Sequence, residues 1–261
     1  MTEDLNSPPD ATQPRVSASP RLPVDRNLRI LLWDIDGTLM RSAETGSYKD
    51  YFVPMLERVF ATSGLLPQMQ VSGMTDLQIV IEALRDEGIT RQYIDERFDQ
   101  LRECYMEEMR RVAGNGNQFF KLLPGVREVL EAIALEPRYR SALLTGNIQP
   151  AAYLKIELVG LSKYFDLPGA FGDESHNRRD LPALAAARIR EYLQIDLVPQ
   201  QFIVIGDTPN DIDCAKHFGA KVLAVGTGRL FSKEQILACE PDAYVADLAN
   251  VELVMQTLSE L

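Results

Sequence analysis

The sequence is sparing in residues that mark several kinds of protein. Its 261 residues hold three cysteines, one tryptophan and two histidines. Cys104, Cys214 and Cys239 stand in separate segments without metal-ligand spacing, which fits buried thiols in a reducing compartment better than a disulfide framework. No apolar run approaches the length that crosses a bilayer, and the N-terminus has no apolar central stretch of a secretory signal. The expectation is a cytoplasmic globular protein with no membrane partner. Basic residues are outnumbered too: 27 Lys and Arg against 38 Asp and Glu give a formal charge of −11. Such a chain shows no basic patch for nucleic acid or anionic lipid, so an anionic small molecule would need a local cation to meet it.

What is present is enough apolar material, 46% of residues, for one large or two modest cores. Residues 1–26 are rich in Pro, Ser, Asp and Thr, a composition that cannot offset its ordering entropy, and a disordered tail is expected there. From 45 to 123 the strand signal disappears and apolar residues recur at helical spacing, as in Tyr51, Phe52, Met55, Leu56, Val59 and Phe60, then Leu77, Val80, Ile81 and Leu84. A longer helical segment follows with Tyr93, Ile94, Phe98, Leu101, Tyr105 and Met109. From 124 onward helix and strand alternate: helices near 124–135, 150–159, 181–193 and 211–218, strands ending at Thr145 and Asp207, strands over 221–225 and 242–245, and a closing helix. The expected fold is α/β, a Rossmann-like parallel sheet with helices on both faces, made of 27–44 and 124–261 and interrupted by an α-helical insert over 45–123.

Three strand ends carry candidate chemistry. The apolar run from Leu28 to Trp33 ends in Asp34-Ile35-Asp36-Gly37-Thr38, and alternation lets two acids two residues apart face one site. The run from Arg140 to Leu144 ends in Thr145-Gly146-Asn147, and that from Phe202 to Ile205 in Gly206-Asp207-Thr208-Pro209-Asn210-Asp211. Singly, each reads equally well as a β-to-α turn. Together, an acid pair, a hydroxyl and a second acid pair in that order are hard to obtain from unrelated turns. In a parallel sheet they lie at the carboxyl ends of strands, where ligands bind.

With these segments the chain resembles the haloacid dehalogenase superfamily of phosphohydrolases. It matches the first, second and fourth of four motifs, and within the superfamily it is similar to the phosphoglycolate phosphatase and β-phosphoglucomutase branch, whose helical cap follows the first motif. The resemblance implies a Mg²⁺ ion held by the Asp34 carboxylate, the Asp36 main-chain carbonyl and the Asp207 side chain, with Asp211 acting through a water or by fixing the basic residue. It implies Asp34 as the nucleophile that forms an aspartyl-phosphate, and Asp36 as the acid that protonates the leaving alkoxide. Because a departing halide needs no proton, Asp36 favours phosphoryl transfer over dehalogenation. Gly37 and Thr38 are expected at the substrate, and the Thr145 hydroxyl with the amides of Gly146 and Asn147 on phosphate oxygens.

The third motif departs from the pattern. The usual lysine with Pro-x-Pro is absent, and the stretch from Phe171 to Leu181 offers Arg178 and Arg179, of which spacing to Leu181 and Ala185 favours Arg178. Neither His176 nor His217 is needed by the resemblance. Gly73-Met74-Thr75-Asp76 resembles a cap loop, so Thr75 or Asp76 either points into the site or caps the next helix. The leading expectation is a Mg²⁺-dependent phosphatase of a small phosphomonoester; a phosphomutase and a non-catalytic phosphate-binding protein are the alternatives. The substrate's identity and the oligomeric state are not legible.

Overall fold

The computed structural model describes residues 27–43, 47–114 and 119–261; the expected tail over 1–26 lies outside them. In chain order, β1 (Arg29–Trp33) and the short β2 (Met40–Ser42) precede four helices, α1 (Lys49–Phe60), α2 (Asp76–Leu84), α3 (Arg91–Glu96) and α4 (Phe98–Ala113). There follow β3 (Phe120–Leu122), α5 (Val126–Ala134), β4 (Tyr139–Leu143), α6 (Gln149–Leu158), α7 (Leu181–Leu193) and β5 (Phe202–Gly206). The chain closes with α8 (Pro209–Phe218), β6 (Lys221–Val225), α9 (Lys233–Ala238), β7 (Ala243–Val245) and α10 (Val251–Glu260). Among the described residues no helix is long and apolar enough to cross a membrane.

Five strands form a parallel sheet in the order β4-β1-β5-β6-β7. Strand alternation sends Ile30, Leu32, Val204 and Val222 to one face, where they pack with Leu181, Ala185 and Ile189 of α7 and Ile212 of α8. Leu31, Trp33, Ile203, Ile205 and Leu223 go to the other, against α5, α6 and α10. Burial on both faces is why these strands read as continuous apolar runs. Trp33, fully buried, satisfies its one polar atom by donating from Nε1 to Ser141 Oγ at 3.2 Å. The chain steps one way from β1 to β4 and then back across β1 to β5. The loops leaving these carboxyl ends therefore diverge and open a crevice beside Asp34.

Local signals set the helix boundaries. Thr208 accepts a hydrogen bond from the Asp211 amide and Pro209 takes the first turn, so α8 starts two residues ahead of its expected place. Three further expectations need correction. The insert is not wholly helical: Phe120–Leu122 pairs antiparallel with Met40–Ser42, a ribbon too short to print a period. The segment from Tyr93 to Met109 is two helices, because Arg97 leaves helical geometry at φ −108°, ψ 8°. Helix α9, six residues long, was not anticipated.

The insert's core is continuous with one face of the sheet. Helices α1 and α4 meet through Phe52 and Tyr51, whose rings lie 5.2 and 5.4 Å from that of Tyr105. Leu56, one turn further along α1, is fully buried in the same cluster. Leu56→Ala is expected to cost about 2–5 kcal/mol of unfolding free energy, measured by urea denaturation. A loss below about 1 kcal/mol would contradict this packing.

Candidate active site

The site is assembled where β1, β4 and β5 end. Asp34 follows β1 directly, and its amide still donates to Ile205 O at 2.9 Å, which carries the sheet's order one residue beyond the strand. The chain then turns through Gly37, whose φ of +91° disfavours any side chain and where a Cβ would overlap the Asp207 carboxylate. Asp207, at the end of β5, is buried and accepts from Thr38 Oγ1 at 3.0 Å. Asp211, in the first turn of α8, is fully buried; its Oδ2 accepts from the Thr208 amide at 2.9 Å and hydroxyl at 2.7 Å.

Arg178 ties these acids together. Its Nη2 lies 3.1 Å from Asp34 Oδ1 and donates to Asp211 Oδ1 at 2.5 Å, while Nη1 donates to Gly73 O at 3.3 Å. Asp34, Asp207 and Asp211 each bring one oxygen within 4.8 Å of the others. Three buried carboxylates thus face a single guanidinium. Burial, opposed by Arg178 and reinforced by Asp211 and Asp36, pushes the Asp34 carboxyl up to about 7. Burial and the neighbouring Asp211 and Asp34 carboxylates hold Asp207 well above its ordinary range. An all-oxygen cluster with uncompensated negative charge fits a hard divalent cation.

A second cluster surrounds Asp36. Its Oδ2 accepts from Lys155 Nζ at 2.6 Å and from Asn147 Nδ2 at 2.8 Å, and Lys155 also donates to Asn147 Oδ1 at 2.6 Å. Lys155, on α6, is only 1% exposed. Burial works against its charge, but the Asp36 carboxylate outweighs it and raises the ammonium above its ordinary range. Thr145 Oγ1 accepts from the Asn147 amide at 3.3 Å and side chain at 2.8 Å, which leaves the hydroxyl proton free to be given elsewhere.

The insert closes over both clusters. The Asp76 amide donates to Gly146 O at 2.6 Å, Asp76 Oδ2 accepts from the Ile148 amide at 2.8 Å, and Asn210 Nδ2 donates to Gly73 O at 2.8 Å. Between insert and sheet is a cavity of about 540 Å³, with Asp34, Asp36, Thr145, Arg178 and Asp207 on its floor and Tyr48, Phe52, Met74 and Ile79 among its insert walls.

The haloacid dehalogenase-like hydrolase family matches residues 31–225. The chain belongs to this family. Among curated proteins it is 23% identical over 209 residues to a phosphoglycolate phosphatase of Aquifex aeolicus (strain VF5), covering 80% of this chain and 90% of that one. It is 27% identical over 235 residues to a phosphoglycolate phosphatase of Vibrio vulnificus (strain YJ016), covering 85% and 93%. A β-phosphoglucomutase structure from Clostridium difficile superposes with a TM-score of 0.62 at 15% identity, covering 89% of this chain and 98% of that one, a likeness of fold.

In this haloacid dehalogenase-like hydrolase, Asp34, Asp36, Gly37, Thr145, Gly146, Asn147, Asp76, Arg178 and Asp207 all line the cavity. Two expected substrate contacts, Arg179 and Thr38, are turned to protein partners, while Thr75 and Asp211 have places that match a reading already open to each. Arg179 is half exposed and paired with Asp213 at 2.6 Å; the tight turn over Arg178–Asp180, capped by Asn177, points consecutive side chains about 120° apart, so only Arg178 turns inward. Thr75 is fully buried as the N-cap of α2, accepting from the Gln78 amide at 3.1 Å. Thr38 is fully buried and holds Asp207 rather than a ligand. Asp211 accepts from Arg178 and Thr208 while also lying in the three-acid cluster, so its place suits both roles open to it, fixing the basic residue and standing beside a metal. Asp76 reaches the cavity but spends one oxygen on the Ile148 amide, so it also pins the insert to the sheet.

Lys155 was missed altogether. Its signal was present: Ala151, Ala152 and Ile156 define the buried face of α6, and Lys155 falls on that face. A lysine at a core position asks for a buried acid.

The charge cluster generates a stability prediction. Asp34 has a folded-state value of about 7 against an ordinary 3.8. Between those values the cation-free folded state keeps a proton that the unfolded state releases, so this group's contribution to stability falls as pH rises through the window. A divalent cation, if bound to the ionised cluster, would offset that loss. Mg²⁺ is therefore expected to raise the Tm more at pH 8 than at pH 5, read by calorimetry with and without chelator. An equal or smaller gain at pH 8 would contradict it.

Proposed function

We propose that the chain is a Mg²⁺-dependent phosphatase that hydrolyses a small phosphomonoester through an aspartyl-phosphate on Asp34. The observation that carries this reading is the pairing of Asp34, buried against Arg178, with Asp36, which sits two residues away with a separate set of partners and an accessible edge on the same cavity. A nucleophile needs its charge offset by a cation that also meets the phosphate; a proton carrier needs access to the leaving oxygen. The phosphoglycolate phosphatases among its relatives support the same reaction class.

Asp34 attacks phosphorus, and Arg178 offsets the charge of the carboxylate and the incoming phosphoryl group. The Thr145 hydroxyl, with its proton free, and the Gly146 amide donate to phosphoryl oxygens. As the ester bond breaks, Asp36 gives its proton to the leaving alkoxide, and it later takes one from the water that attacks the aspartyl-phosphate. Asp34, Asp207 and the Asp36 main-chain carbonyl would hold Mg²⁺, which when bound supplies the positive charge that lets a carboxylate approach a phosphate. The seated insert excludes bulk water from the reacting group.

A phosphomutase would use the same first half-reaction and return the phosphoryl group to a sugar. Both histidines of the chain, His176 and His217, lie outside the insert, so the insert has no histidine to move a proton for a sugar hydroxyl, and hydrolysis is favoured. A non-catalytic binder has no use for a nucleophile paired with a proton donor.

Asp34→Asn removes the attacking oxygen at nearly constant volume and is expected to lower kcat by about three orders of magnitude or more with the Tm preserved. The assay is phosphate release from a panel of phosphoglycolate, sugar phosphates and nucleotides, with and without Mg²⁺. Variant activity within tenfold of wild type, or wild-type activity indifferent to Mg²⁺, would sink the reading.

A further inference from the structure

Resting on the phosphatase reading, we propose that Lys155 is the positioning residue for Asp36: it fixes one carboxylate oxygen so that the other is presented to the leaving group. The ammonium has three N–H donors. Two of them are spent on Asp36 Oδ2 and Asn147 Oδ1, each at 2.6 Å, and the Tyr51 hydroxyl stands close enough to the ammonium to feel its charge. The ring of Phe120 closes off the remaining side, its centroid 5.5 Å from Nζ. With two short bonds to protein oxygens and 1% exposure, Lys155 commits its charge to its protein neighbours rather than to substrate. It lines the cavity but acts only through its partners.

The consequence falls on Asp36. Its Oδ2 holds two donors, Lys155 Nζ and Asn147 Nδ2, whereas its Oδ1 has no hydrogen bond among the described residues, and the side chain is 44% exposed on the cavity. A carboxylate on a half-exposed turn would otherwise sample several rotamers. Two donors at one oxygen hold it in one, and Oδ1 becomes the atom that carries the proton. As the bond from Asp34 to phosphorus forms and the ester P–O bond breaks, the proton on Asp36 Oδ1 passes to the departing oxygen. Water returns a proton to the same atom when the aspartyl-phosphate is hydrolysed.

Lys155 comes from α6, Asn147 from the turn after β4, and Tyr51 from α1 of the insert. Only with the insert seated do the Tyr51 hydroxyl and the Phe120 ring enclose the ammonium that holds Asp36. The aim of Asp36 is thereby tied to closure of the cavity.

The test uses two esters of similar size. p-Nitrophenyl phosphate expels a phenolate that needs no proton, while benzyl phosphate expels an alkoxide that does. The readout is the ratio of kcat/KM on the first to that on the second, which reports the phosphorylation step alone. Lys155→Met is expected to raise this ratio about tenfold or more, a fraction of what general-acid catalysis supplies. Asp36→Asn should raise it further, and the double variant should match Asp36→Asn, because a positioning residue has nothing to position once the acid is gone. Circular dichroism and Tm establish folding. Where Lys155→Met does not fold, Tyr51→Phe, which removes the hydroxyl beside the ammonium and keeps the ring, should raise the ratio about threefold. A purely structural lysine would depress both esters equally, so an unchanged ratio in a folded variant overturns the proposal. Wild-type protein inert on both esters overturns the phosphatase reading beneath it instead.

Discussion

Among the described residues Arg178 is the single cation set among three buried carboxylates, and the rest of the site is arranged around that imbalance. One guanidinium nitrogen serves both Asp34 and Asp211, and the third acid, Asp207, lies within the same cluster. Burying such a cluster opposes folding, since each ionised carboxylate gives up its hydration. The surrounding residues hold it in place: Thr38 and Thr208 donate to two of the acids, and glycine at position 37 leaves room for the Asp207 carboxylate. A constellation of this kind, at the carboxyl edge of a parallel sheet and under the insert, is what a functional use of charge requires, and it supports the proposed catalytic role.

The same imbalance separates the two acids of the first motif. Asp34 is buried in the cluster with Arg178 beside it. Asp36 turns away to Lys155 and Asn147 and keeps an open edge. Adjacent carboxyl groups placed in unlike surroundings can take unlike roles, one as nucleophile and the other as proton carrier. Each acid thus has its own buried cation, and the two cations come from different parts of the chain, Arg178 from the turn ahead of α7 and Lys155 from the middle of α6.

Much of this was legible because it is local. The strands of the sheet are apolar runs bounded by turn residues, and β6 and α7 fall on the residues expected of them, Lys221–Val225 and Leu181–Leu193. The acids at strand ends were visible for the same reason. What escaped was set by geometry beyond the neighbouring residues. Spacing favours Arg178 over Arg179, but the margin depends on how a single tight turn is rotated, and Thr75 could be placed only once the start of α2 was known. Lys155 is three to four residues from the alanines that mark the buried face of α6, but the acid it answers is 119 residues away. The β2–β3 ribbon, three residues to a strand, has no pattern long enough to read.

The division of Asp34 and Asp36 by their surroundings into nucleophile and proton carrier is tested most directly by trapping the covalent intermediate. The enzyme would be mixed with excess p-nitrophenyl phosphate and Mg²⁺, quenched in acid, reduced with borohydride to convert an aspartyl-phosphate to homoserine, and digested with trypsin. The peptide spanning 30–41 contains both acids, and fragmentation distinguishes them. The account predicts homoserine at position 34 with Asp36 intact. Homoserine at position 36, or a phosphoryl group trapped on a residue outside this peptide, would contradict it.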